Sequence, residues 1–153
     1  MNGDLVEAIR ASLTSQMASL HAGLKEQSAL LTDEQFWQKP IEPGNSLGHL
    51  VLHLTGNLKH FTGAMLLKSG YVRERDREFS EPTPPTKEVA LAGLEEAVGQ
   101  FDEAARTADL LVAHPEARFG NVLNALMTLM THFAVHRGHI SYIRRMVEQN
   151  HRA

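Results

Sequence analysis

"NVLNALMTLMTHFAVHRGHISYIRRMVEQ", Asn121 to Gln149, is the stretch that decides the fold class. Its only glycine or proline is Gly138, and it is apolar over much of its circumference, so it reads as one long helix. That is more apolar surface than a single core face needs, which leads us to expect a subunit interface and a homodimer. Three histidines, His132, His136 and His139, fall on this helix at i, i+4 and i+7. Residues so spaced share a face, so the imidazoles form a stripe on a surface that its neighbours want to bury.

Helical spacing recurs in the rest of the chain. From Asp4 to Leu31, apolar residues at Leu5, Ile9, Leu13, Met17, Leu20, Leu24 and Leu31 step mostly by three and four, which predicts a first helix. Thr32 caps a short turn over Asp33 to Trp37, which Pro40 and Pro43 end. "NSLGHLVLHLTGNLKHFTGAMLL" then predicts a second long helix, capped by Asn45 or Ser46 and closed near Gly70. A third runs from its cap Thr86 through "TKEVALAGLEEAVGQFDEAARTADLLV", with Val89, Leu94, Val98, Phe101 and Ala105 toward a core. No segment alternates with strand period. The expectation is an all-α, four-helix bundle forming a single domain over residues 1–153. Its one long connection, "YVRERDREFSEPTPPT" between the second and third helices, is a lid or a crossover. The alternating charges of "YVRERDRE" are expected to solvate themselves.

Composition narrows the chemistry. The chain has 153 residues, a net charge of -3 and no cysteine. Without cysteine there is no disulfide, no thiolate ligand and no cysteine nucleophile, so a metal would be held by His, Asp or Glu. The absence of a dense basic cluster argues against nucleic acid as a partner, and no uninterrupted apolar run of about 18 residues offers a membrane span. The opening "MNGDLVEAIRASL" does not read as a signal peptide, so the cytoplasm is the expected compartment.

Seven of the nine histidines cluster in or beside two windows. On the second helix His49, His53 and His60 fall within roughly 40° of one another at about 3.6 residues per turn. Two imidazoles one turn apart, joined by a third from a facing helix, make a three-nitrogen site for one metal ion with positions left open. The competing reading is a set of core histidines satisfied by carbonyl or hydroxyl partners. Spacing alone leaves His49 and His53 equivalent. Other arrangements fit worse: the chain has no H-E-x-x-H, no G-x-S-x-G elbow and no glycine-rich phosphate loop, and its one E-x-x-H, Glu148 to His151, lies at a terminus where a di-iron bundle needs two. Glu95 and Glu96 read as a solvated face.

"NSLGHLVLHLTGNLKHF", followed by "HFAVHRGHISYIRRM", resembles the DinB-like (YfiT-like) metalloenzyme superfamily across essentially the whole chain. The resemblance implies a four-helix bundle, often dimeric, with His53, His132 and His136 as ligands to a divalent ion such as zinc, nickel or iron. It implies an activity of thiol-transferase or hydrolase type, in which the site activates a low-molecular-weight thiol or water toward an electrophilic small molecule. His139 stands where many relatives have Gln after the R-G, and so becomes a position supporting the ligands or an alternative ligand. His49 and Asn57, one turn either side of His53, are the other supporting positions. Phe36 and Trp37 are expected in the core or as a pocket wall, and Gly138 is expected where another group approaches closely. The rival from another class is a non-catalytic dimeric bundle with a structural metal or none.

Overall fold

A computed structural model describes residues 3–151. Among them the chain is helical, with no strand and one isolated bridge, Ala113 to Asn121. The order is α1 (Gly3–Ala29), α2 (Asp33–Trp37), α3 (Leu47–Leu58) running into a π-helical turn (Lys59–Ala64), α4 (Arg77–Ser80), α5 (Lys87–Thr107), a 3-10 turn (Ala117–Phe119) and α6 (Val122–Asn150). The long helices α1, α3, α5 and α6 form the bundle: α1 and α3 each pack against both α5 and α6. This is the DinB-like helical bundle that the resemblance implied.

Side-chain caps fix where the helices begin. Thr32 and Gln35 close a reciprocal capping box on α2, and Thr86 and Asn121 accept from backbone N–H groups of the first turns of α5 and α6. Of the two caps open for α3, Ser46 is the one used; its hydroxyl accepts from the His49 N–H while its own N–H donates to His49 Nδ1. The ends differ more from expectation. α5 stops at Thr107, because Arg10 on α1 reaches across to donate to the Ala105 and Ala108 carbonyls, and Leu110 is buried from a loop. The second long helix loosens into the π turn at Lys59, where the Thr62 hydroxyl donates back to the Leu58 carbonyl. It is over before Lys68, whose φ of 58° is left-handed, as is that of Gly70.

The core follows the predicted stripes, with Leu13, Met17 and Leu24 of α1 meeting Leu94 and Phe101 of α5 and Leu126, Phe133 and Ile140 of α6. Leu5 and Val89, predicted inward, are exposed. Phe36 is fully buried, and Trp37 lies against Gly48 and the His49 ring, so this pair anchors the entry to α3 and does not line the cavity beside the histidines. Among the described residues no helix is long and apolar enough to cross a membrane.

Candidate metal centre

α3 and α6 lie side by side and bring His53, His132 and His136 together. The Nε2 atoms of His53 and His136 lie 3.2 Å and 3.0 Å from that of His132. Two ligands on one ion at about 2.0–2.1 Å and near right angles stand about that far apart. The chemistry of the donors agrees with the spacing. The Nδ1–H of His53 donates to Glu78 Oε2 at 2.8 Å, which leaves the Nε2 lone pair aimed at the other two rings. A proton on His132 Nε2 can serve one neighbour and not both, so the three converging nitrogens fit a shared cation. Burial, followed by the neighbouring imidazole charges, pushes His132 and His136 down to about 4, which keeps both rings neutral and able to bind a metal near neutral pH.

Glu78 is the residue that sequence reasoning missed. It sits on α4, inside the connection expected to solvate itself, yet it is buried against α3. Gly56 makes the room, since a methyl group there would collide with the Glu78 carboxylate. Arg73 clamps the same carboxylate from the other side through Nε at 2.7 Å and Nη2 at 2.9 Å. Burial alone would raise the Glu78 carboxyl, but hydrogen bonds from His53 and Arg73 outweigh it and hold the group below the usual carboxylate range. The connection is therefore a crossover latched into the site. Only its outer charges behave as expected, with the exposed Arg77 pairing with an exposed Glu74 and with Glu81, whose side chain is partly covered. The signal available was an acid flanked by arginines in a long link facing a histidine-bearing helix.

The other predicted residues separate. His49 is spent in the α3 capping box and does not reach His53; Glu78 has the supporting role that position was expected to fill. His60 does not join the three-histidine group; it lies at the start of the π turn and packs edge-on against Phe61. Asn57 is buried beside the site with its Oδ1 unpartnered among the described residues, so it fixes no tautomer through that atom. His139 is exposed, with Nδ1 3.3 Å from His136 Nδ1. A Cβ added at Gly138 would meet no other part of the described chain within 4 Å, so the close neighbour expected there is not found within this chain. Glu95 and Glu96 do form a solvated face, paired with Lys25 and Lys59.

Beside the histidines opens a cavity of about 410 Å³ walled by His53, His132, Asn57, Phe61, Phe119 and Arg118, among others. His114 holds this wall in place. It accepts the Glu116 N–H at Nδ1 and so donates from Nε2 to the Phe61 carbonyl, which ties the loop before α6 to the π turn.

Among solved structures, that of a conserved protein from Enterococcus faecalis has a TM-score of 0.74 at 14% identity, covering 91% of this chain and 96% of that one. At that identity the likeness speaks for the fold alone. No curated protein matches the chain. The family model described as mycothiol-S-transferase matches residues 8–149. With nearly the whole chain matched, and with the bundle and three-histidine cluster in place, the protein belongs to the mycothiol S-transferase family, a DinB/YfiT-like family.

Proposed function

We propose that the protein is a metal-dependent transferase that joins a low-molecular-weight thiol to an electrophilic small molecule, with His53, His132 and His136 as the metal ligands. The observation that carries this reading is the convergence of three imidazole nitrogens at the wall of a cavity large enough for small molecules. The family match favours thiol transfer over hydrolysis. A divalent ion held by these three residues would supply a Lewis acid able to lower the pKa of a thiol or water.

The chain's own residues supply the rest. Glu78 keeps the His53 proton on Nδ1 and orients the ring, and Arg73 holds Glu78 ionised in its buried place. Phe61 and Phe119 meet edge to face at 5.1 Å and give the cavity an apolar wall that limits water around the reacting groups. Since the chain has no cysteine, the sulfur nucleophile comes from the cosubstrate. We place the reaction in the cytoplasm and in a homodimer, whose contact is the apolar groove that includes Leu5 and Met127. Light scattering on the purified protein tests the dimer.

Metal analysis of untagged protein, repeated on His53→Ala and His136→Ala, tests the site. Stoichiometric divalent metal in the wild type and its loss from both variants are expected; full content in both variants sinks the assignment. A panel of thiols with an electrophilic acceptor follows. Metal-dependent consumption of a thiol supports the transferase, metal-dependent turnover with water alone identifies a hydrolase, and no turnover leaves the non-catalytic bundle.

A further inference from the structure

The cavity beside the three histidines carries positive charge that the bundle does not use. Arg73, Arg75 and Arg118 all line it. Arg73 is neutralised by its two bonds to Glu78. Arg118 and Arg75 make no ion pair with an acid among the described residues; aromatic rings hold them instead. The Arg118 guanidinium lies 4.9 Å from the Phe61 centroid and 4.8 Å from that of Phe119, and Arg75 lies 5.8 Å from the Phe79 centroid. Stacking of this kind fixes a guanidinium's position and leaves its charge and its N–H fork available. The His114 bonds that tie down the Arg118 loop add to that fixing.

A second observation comes from the cavity's interior. Asn57 is only 9% exposed, and its Oδ1 is buried without a partner. Leaving a buried amide unsatisfied is costly, and the surface this side chain borders is the cavity that Arg118 and Arg75 flank. A ligand with a polar body and a compact negative group answers both features at once.

We propose that the cavity takes a small molecule carrying a carboxylate or similar compact anion, which Arg118 and Arg75 bind while Asn57 bonds its polar body. Arg118 and Arg75 are then the residues that select the cosubstrate. This deepens the transferase reading, since it rests on the cavity being where thiol and acceptor meet.

Calorimetric titration of the full-length protein as purified tests it with two matched pairs, N-acetylcysteine against N-acetylcysteine amide and fumarate against fumaramide. In at least one pair the anionic member is expected to bind at least about tenfold more tightly. A preference in the first pair places the anion on the thiol, and in the second on the acceptor. The double variant Arg118→Gln, Arg75→Gln is expected to bring the anionic member down to the affinity of its amide, with metal content and melting temperature unchanged. Arg118→Lys should retain part of the preference. Asn57→Ala should weaken both members of the pair alike, and unchanged affinity removes Asn57 from the site. Equal binding within both pairs overturns the proposal, as does a preference that survives in the double glutamine variant. The readout is binding and the arginines lie outside the three-histidine group. Failure here therefore leaves the transferase reading standing, and a protein without metal or turnover still reports on the charge preference.

Discussion

Glu78 is joined at once to His53, Arg73 and the space above Gly56, so single substitutions around it have distinguishable effects. Glu78→Gln keeps the shape and loses the charge; metal affinity, read by competition with a chelator, is expected to fall by about 10- to 100-fold. Gly56→Ala should reproduce that loss without touching a polar group, because the new methyl displaces the carboxylate. In metal-free protein the histidines set the pH response. His132 and His136 are held down to about 4 in the fold, against about 6.5 in the unfolded chain, so protonation favours unfolding. Their contribution is fully present above about pH 6.5 and is lost as pH falls toward about 4. Urea midpoints across that window should drop, and the His132→Gln, His136→Gln double variant should flatten the drop. The pair His132 and His136 was legible in the sequence because its stripe is local: helical spacing places the two on one face whatever lies around them. His49 and His53 were not separable by spacing, and what divides them is the capping bond between His49 and Ser46.

The crossover shows what periodicity does not reach. Its run of alternating signs has the pattern of an exposed segment, and Arg77 with Glu74 and Glu81 behaves so. Glu78 and Arg73 turn inward through a contact with His53, 25 residues away in sequence, and no local rule contains that contact. Removing Arg73 leaves a buried carboxylate with one partner fewer, so Arg73→Ala is expected to cost about 3 to 5 kcal/mol in denaturant unfolding. The same variant should unlatch the crossover, and trypsin cleavage between Tyr71 and Pro82 should become several-fold faster than in the wild type. Helix starts were legible for the same local reason as the stripes, since Thr32 and Thr86 cap with their own side chains. Helix ends were not. "DLLV" continues the apolar pattern past Thr107, but Arg10 of another helix takes up the α5 carbonyls and the chain turns away. The π turn at Lys59 was equally hidden, and His60 sits at its start.

At the scale of the molecule, α6 is both core and site. Phe133, fully buried, follows directly after His132, so Phe133→Ala should cost about 3 to 5 kcal/mol and loosen the metal site in the same step. An ion that binds only the folded chain adds stability in proportion to its occupancy, about 4 kcal/mol at a thousandfold excess over its dissociation constant. A chelator should therefore lower the melting temperature of the wild type and leave that of His53→Ala unmoved. The separation of the donors gives this coupling a direction in time. His53 is made first and His132 comes 79 residues later, on α6. A growing or broken chain without α6 holds one of the three nitrogens and leaves the apolar face of α3 uncovered. The three-histidine cluster is thus complete only once α6 has been made and has packed beside α3.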